Sequence, residues 1–345
     1  METNVIKNVL SKLLEGNDLD KNDARQVMEE MMEGRASDAQ IGSLLTALRI
    51  KGETTEEVTG FAEIMRSKSS RVETANHPLL DTCGTGGDGA NTFNISTASA
   101  IVAAAGGIRV AKHGNRAMSS KSGSADVLEA LGININLDHK QAQLCIDQVG
   151  LCFMFAQKYH GSMKNVAAPR KELGFRTVFN MLGPLTNPAN ADRQLMGVFD
   201  KSKTELLASV LRELKLDRAF VVSSFDGLDE ISISAPTQVT ELKDGLLNTY
   251  DITPDDLGLQ SYPIDDIAGG DAVENAEIIR SIFKGEKGAR RNIVLANAGA
   301  CFYVFDHCSS LQEGVKIAAN MIDSGKAAEK LEDLARFTKE ISHDT

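Results

Sequence analysis

One short stretch constrains this chain more than any other. Leu79 and Leu80 run into Asp81-Thr82-Cys83-Gly84-Thr85-Gly86-Gly87-Asp88-Gly89, then Asn91-Thr92-Phe93-Asn94-Ile95-Ser96-Thr97, then an alanine-rich stretch from Ala98 to Ala105. Strand, glycine loop and helix in that order let backbone N–H groups and a helix N-terminus wrap an anion. Glycine removes the Cβ, so the chain can approach phosphate closely and adopt positive φ. The hydroxyls of Ser96 and Thr97 and the amide of Asn94 fall at the start of the helix, where they can donate to phosphate oxygens. A tight structural turn is the simpler alternative. The joint presence of glycines, hydroxyls and a helix start favours an anion site.

Two nucleotide motifs are set aside. No Lys-Ser/Thr pair closes the loop, so a P-loop is absent. Gly84, Gly86 and Gly89 match G-x-G-x-x-G to the letter, but the helix begins several residues later, and the next strand ends in Lys112 where a ribose-binding acid is expected. Asp88, an acid inside an anion loop, fits a sugar hydroxyl or a metal-bound water better than phosphate.

The 345 residues are 42% hydrophobic and 25% charged, enough for one large domain plus a smaller one. A net charge of −11 argues against a nucleic-acid partner, which needs a basic face. The five cysteines are odd in number and form no C-x-x-C, which predicts a reducing, cytoplasmic setting without disulfides or zinc. No apolar run is long enough to span a bilayer, so no membrane partner is expected.

The first part reads as four short helices ending near Gly16, Gly34, Gly52 and Ser67, the last opening with Thr54 and Glu57 in capping-box spacing. Residues 67–78 read as a linker. Strands are then expected at 79–82, 108–111, 133–137, 151–155, 196–199 and 218–223, with helices at 97–105, 124–131, 139–149 and 203–215. That rhythm predicts an α/β fold: a small all-helical domain plus a larger α/β domain with a mostly parallel central sheet. Residues 170–187 look helical and interrupt the rhythm. The expected division is a helical domain over 1–75, with 168–190 packing back on it, and an α/β domain over 76–167 and 191–345. Two strands (237–242, 246–250) and helices from about Asn275 complete the chain, with one more strand possible at 292–296.

Three clusters carry chemistry. Lys112-His113-Gly114-Asn115-Arg116, continuing to Ser124 and Asp126, follows a strand, where open α/β sheets bind ligands. Its cations, glycines and hydroxyls suit a second phosphate or carboxylate. Asp226-Gly227-Leu228-Asp229-Glu230 is either an exposed acidic turn or a carboxylate pair for Mg²⁺, which needs only one or two protein carboxylates. Arg170 can grip a carboxylate with two parallel hydrogen bonds. No Ser-His-Asp order is evident and Cys83 has no convincing base. Displacement of a pyrophosphate leaving group needs no strong protein nucleophile and fits this inventory.

Gly84-Thr85-Gly86-Gly87-Asp88 with Asn94-x-Ser96-Thr97, the block Lys112–Arg116, the run Ser122–Gly132, Arg176-Thr177-x-Phe179-Asn180-x-Leu182-Gly183-Pro184-Leu185-x-Asn187-Pro188, and Asp229-Glu230 together resemble the anthranilate phosphoribosyltransferases along about residues 5–340. The resemblance implies a hinged helical and α/β pair of domains, also found in pyrimidine nucleoside phosphorylases, and a homodimer formed through the helical domain. It implies transfer of phosphoribose from PRPP to anthranilate in tryptophan biosynthesis. Carried over by position, Gly84, Gly86, Gly87, Asp88, Thr92, Asn94, Ser96, Thr97, Lys112 and Ser124 bind PRPP. Gly84, His113, Asn115, Arg170 and Gly183 hold anthranilate. Ser96, Asp229 and Glu230 bind Mg²⁺, with two ions per subunit. A nucleoside phosphorylase and a non-catalytic nucleic-acid-binding relative of the fold are the alternatives.

Overall fold

The computed structural model describes residues 5–117 and 121–343. The first four helices are α1 (Val5–Leu14), α2 (Lys21–Met32), α3 (Asp38–Lys51) and α4 (Thr55–Ser67). The capping box of α4 closes: Thr54 N–H donates to Glu57 Oε2 at 2.9 Å, and Glu57 N–H to Thr54 Oγ1 at 3.3 Å. The Glu57 carboxylate is fully buried, and Leu19 N–H and Lys51 also donate to it. One side chain thereby ties α3, α4 and the loop before α2 together.

The chain then alternates through β1 (Leu80–Gly84), α5 (Ile95–Ala105), β2 (Val110–Gly114), α6 (Ser124–Ala130), α7 (His139–Val149), β3 (Leu151–Phe155) and α8 (Ala156–Tyr159). It returns toward the N-terminal helices as α9 (Lys164–Leu173) and α10 (Phe179–Leu182). The sheet resumes with β4 (Arg193–Gly197), α11 (Thr204–Glu213), β5 (Arg218–Ser224), β6 (Thr237–Lys243) and β7 (Leu246–Ile252). Helices α12 (Ala272–Phe283), α13 (Ala289–Val304), α14 (Leu311–Asp323) and α15 (Lys326–His343) end the chain. The seven-stranded sheet has order β3-β2-β1-β4-β5-β6-β7, parallel from β3 to β5 and antiparallel from β5 to β7. The order reverses between β1 and β4, the switch point at which open α/β sheets bind ligands in a crevice outside the strands' carboxyl ends.

Two apolar cores sandwich the sheet. One lies under α5, α7 and α13–α15. The other joins α1–α4 to Val166, Val178, Phe179, Met181, Leu182 and Leu185, and continues into Leu207, Leu211 and Val221 beside the sheet. The linker after α4 is bonded to the other two crossings: Ser70 N–H donates to Tyr159 O at 2.9 Å and Val72 N–H to Pro188 O at 3.1 Å.

Four local expectations are corrected. Residues 133–137 form no strand: Ile133, Ile135 and Leu137 alternate and are buried, but Asn134 N–H donates to Thr338 Oγ1 on α15 rather than to a neighbouring strand. Residues 292–296 lie inside the 16-residue α13, a helix buried almost all round, which a short apolar window cannot distinguish from a strand. The helix over 170–187 breaks at Gly174, whose φ of 64° ends α9, and Thr177 N–H bonded to Asn180 Oδ1 starts a new turn. The strand expected at 196–199 starts earlier, because Arg193 to Gly197 pair in register with Leu80 to Gly84.

Helices α13 and α14 cross at Gly299 and Gly314. A Cβ on Gly299 would lie 2.8 Å from Val315 N, a backbone atom that cannot yield. Gly299→Ala should therefore cost about 1–3 kcal/mol of stability, read as a lower urea midpoint with an unchanged slope.

Candidate active site

The segment after β5 crosses the carboxyl ends of β1 and β4, where Gly84 and Gly197 are register partners. A Cβ on Gly197 would collide with the Asp229 carbonyl, and one on Gly84 with the Asp229 carboxylate. The two glycines make a slot that only a bare backbone can offer. Through it Asp229 Oδ2 accepts from Gly86 N–H at 2.8 Å. Thr85 N–H donates to Gly197 O at 2.9 Å, so the loop is bonded to β4 as well. Gly86 and Gly87 sit at φ 66° and 78°, which side-chain-bearing residues rarely adopt.

Glu230 is placed next to the start of α5, where Ser96 N–H donates to its carboxylate. Asn94 occupies the N-cap but makes no side-chain cap bond. Its amide is used elsewhere: Nδ2 donates to Ser122 O at 3.2 Å, and Oδ1 accepts from Asn275 at 3.0 Å. The Thr97 hydroxyl is buried without a partner. Half-buried Ser96 meets Lys112, whose Nζ lies 3.2 Å from Ser96 Oγ and also donates to Thr82 O. Lys112 is only 3% exposed, so its ammonium serves the floor of the site.

Burial pushes the carboxyl groups of Asp229 and Glu230 upward; repulsion from Asp88 adds to it at Asp229, and repulsion from Asp229 and Asp88 adds to it at Glu230. Lys112 opposes this for Glu230. Among the described residues no cluster of three or more His, Cys, Asp or Glu is gathered to hold a metal by protein atoms alone. A hard cation that keeps waters and shares ligand oxygens suits such a donor set. Asp226 lies outside it: its carboxylate accepts from the hydroxyls of Ser224, Ser232 and Ser234 and shapes the turn.

Across the crevice, the Arg170 guanidinium stacks over the Phe179 ring, 4.7 Å from its centroid. Burial lowers its pKa, and it pairs with no carboxylate among the described residues. Space is open beside Gly183. Asn115 is exposed at the end of β2, and the Ser124 hydroxyl donates to its carbonyl at 3.2 Å. Arg116 is spent on Asp126 and Glu129. Thr92 forms an isolated bridge with Ala268. The structure thus gathers the glycine loop, Ser96, Lys112 and Asp229–Glu230 at the switch point, with Asn94 and Thr97 on either side of Ser96 at the start of α5; Asn115 ends β2, and Arg170 and Gly183 lie on the segment that returns to the N-terminal helices.

One participant escaped sequence reasoning. Arg176, carried on the turn between α9 and α10, donates to the Gly87 carbonyl and stacks 3.8 Å from the centroid of the Phe199 ring. It bonds the returning segment to the loop. Its only signal was its place in the Arg176–Pro188 run.

Comparisons with known proteins span nearly the whole chain. The glycosyl transferase family helical bundle domain matches residues 7–69, and the glycosyl transferase family a/b domain matches 76–328. The anthranilate phosphoribosyltransferase of Acetivibrio thermocellus is 53% identical over 334 residues, covering 97% of each chain. The chain belongs to the anthranilate phosphoribosyltransferase family. Within that family, the crystal structure from Thermus thermophilus superposes with a TM-score of 0.92 at 41% identity, covering 96% of this chain and 99% of that one. The Saccharomyces cerevisiae anthranilate phosphoribosyltransferase, solved with PRPP and Mg, superposes at 0.90 with 26% identity over 98% of this chain and 99% of its own.

Two imidazoles are buried beside the end of β2. His113 and His160 face each other with ring centroids 5.1 Å apart, and neither Nε2 has a partner. Burial lowers His113 from 6.5 to about 3, with repulsion from His160 adding to it, and lowers His160 to about 4. Both are neutral at pH 7. Groups whose folded pKa is depressed bind more protons when unfolded, so stability rises with pH between the two values. Their contribution is complete above about pH 6.5 and is lost as pH falls toward 4. The urea midpoint should drop across that window less steeply in His160→Asn than in the parent; equal slopes would show that the pair is not held neutral.

Proposed function

We infer that this chain transfers the 5-phosphoribosyl group of PRPP to the amine of anthranilate, releasing pyrophosphate, as a step of tryptophan biosynthesis. The observation that carries the reading is the Asp229–Glu230 pair held on the start of α5 beside the glycine loop. The yeast relative solved with PRPP and Mg, and the same relative solved with 4-fluoroanthranilate, support both substrates.

The pyrophosphate of PRPP would lie against the N–H groups of the Gly84–Asp88 loop and the hydroxyls of Ser96 and Thr97, with Thr92, Asn94 and Ser124 beside it. Asp88 suits a ribose hydroxyl or a metal-bound water. Ser96, Asp229 and Glu230 are the residues that would hold Mg²⁺, and we read two ions per subunit. Bound Mg²⁺ supplies charge neutralisation to the departing pyrophosphate. Lys112 holds this floor electrically and mechanically. Arg170 would clamp the anthranilate carboxylate while Asn115, His113, Gly84 and Gly183 border the ring. The C1–O bond breaks, the C1–N bond forms on the opposite face, and the amine gives up one proton to the departing pyrophosphate or to water. The chain's part is to hold the two ligands together across the crevice and to exclude water. No side chain need act as a base, because both buried imidazoles face each other.

We read α1–α4 with residues 168–190 as the helical unit, and residues 76–167 and 191–345 as the phosphoribosyl unit, hinged at the three bonded crossings. Leu14 and Ile50 are 80% and 82% exposed at the ends of α1 and α3, which supports a homodimer through this unit. Five unpaired cysteines support a reducing, cytoplasmic setting; no helix among the described residues is long and apolar enough to cross a membrane.

Anthranilate fluorescence should fall on adding protein, PRPP and Mg²⁺ together, and not with any one omitted. Arg170→Ala should raise the KM for anthranilate by roughly tenfold or more, the worth of a charge-assisted hydrogen bond, with the KM for PRPP little changed. Equal loss of both would reject the assignment. Glu230→Gln should lower kcat and flatten its Mg²⁺ dependence. Phosphorolysis of thymidine or uridine would instead favour a nucleoside phosphorylase.

A further inference from the structure

A cavity of about 790 Å³ lies away from the glycine loop, in a recess between α12, the start of α13 and the strand-like rim 268–270. Its size is that of small-molecule sites. Helix α13 begins at Gly288, which offers no side-chain cap, and its first turn carries Arg290 and Arg291 with no acid. Cations at that end oppose the helix dipole, so the arrangement calls for an anion. Arg291 lines the cavity, is 4% exposed, and its Nη1 has no partner, although Nη2 is held by Asp323 at 2.8 Å.

The rest of the lining argues against a plain anion. It carries Asp266 and Glu277, which form no ion pair among the described residues, while Glu274 is spent on Asp271 N–H and Glu286 on Ser281. Tyr262, Ile278 and Ile282 add apolar surface between the two poles. A dianion such as phosphate would meet two free carboxylates. A zwitterion would satisfy both ends.

The recess is also bonded to the glycine loop region. Arg290 Nη2 donates to Ala268 O at 3.0 Å, Ala268 bridges Thr92, and Gly269 N–H donates to Asn91 O at 2.9 Å. Further along α13, Asn297 Oδ1 accepts from Ile231 N–H at 2.9 Å, next to Glu230. We propose that this recess is a regulatory site for an α-amino acid with an apolar side chain, its carboxylate at the α13 start and its ammonium at Glu277 and Asp266, whose occupancy changes the affinity for PRPP. The coupling to PRPP rests on the function inferred above; the binding does not.

Calorimetric titration of the full chain with phenylalanine, leucine, 3-phenylpropionate, phenethylamine and inorganic phosphate tests it. The expected result is binding of an amino acid well above the single-charge compounds and phosphate, weakened at least about fivefold in Glu277→Gln. PRPP affinity should shift by about fivefold or more when the amino acid is bound. No binding by either amino acid, equal binding by phosphate or phenylpropionate, or binding unaffected in Glu277→Gln would overturn the site. Amino-acid binding with unchanged PRPP affinity would overturn its regulatory role. Failure of PRPP to bind the unliganded protein would instead fall on the reading of residues 84–97.

Discussion

The close passage of Asp229 over Gly84 and Gly197 is the contact on which the rest of the site depends. It brings a carboxylate to Gly86 N–H and delivers the next residue to the start of α5. Neither acid is comfortable there. Burial and repulsion from neighbouring carboxylates raise both carboxyls, Asp88 at Asp229 and Asp229 at Glu230, and the Lys112 ammonium opposes this at Glu230. Burying unpaired carboxylates costs stability, and a fold under no other demand would place them in water. The surrounding backbone holds them in place nonetheless: Thr85 on Gly197, Asn297 on Ile231, and the Asp226 hub of three hydroxyls.

The other half of the site comes from across the crevice, and the packing explains how it is carried. Helices α9 and α10 leave the sheet, bury Val166, Val178, Phe179 and Leu182 in the core of the N-terminal helices, and return. Arg170 and Arg176 ride on this segment. Arg170 is supported by the Phe179 ring beneath it, and Arg176 reaches across to the Gly87 carbonyl. Both guanidiniums are therefore carried by a segment anchored in the core of the N-terminal helices, and Arg176 bonds that segment to the glycine loop.

Much of this was legible in the chain. Glycines, hydroxyls and the apolar run after Leu79 specify a strand, loop and helix by local chemistry alone, and the capping box at Thr54 closes as its spacing requires. What was not legible depends on partners distant in sequence. Ile133, Ile135 and Leu137 alternate like a strand, yet Thr338 of α15 takes the backbone bond of Asn134, and no alternation reveals that. Residues 292–296 are apolar enough for a strand because α13 is enclosed by α5, α14 and the sheet, which a local window cannot see. Gly197 reads as an ordinary strand glycine until Asp229 is found against it. The roles of Arg116 and Arg176 were likewise open. Arg116 resembles a ligand-binding cation but is neutralised by Asp126 and Glu129, whereas Arg176 carries no local signal and yet supports the loop.

The distribution of charge also indicates what kind of catalyst this fold can be. The imidazoles and the thiol nearest the glycine loop are held away from proton transfer. His113 and His160 are buried against each other and stay neutral, and burial also keeps Cys83 protonated. Asp81, fully buried, accepts from His113 N–H and so positions the end of β2. What remains available is a set of fixed dipoles and charges: loop N–H groups, an uncapped helix start, a carboxylate pair and one desolvated guanidinium. Such an array stabilises charge that leaves as a unit, and it need not reorganise while doing so. It would do little for a reaction limited by proton abstraction. Loss of a polyanionic leaving group from a sugar carbon, followed by capture by a neutral amine, is the chemistry for which an environment with rigid donors and no base is sufficient.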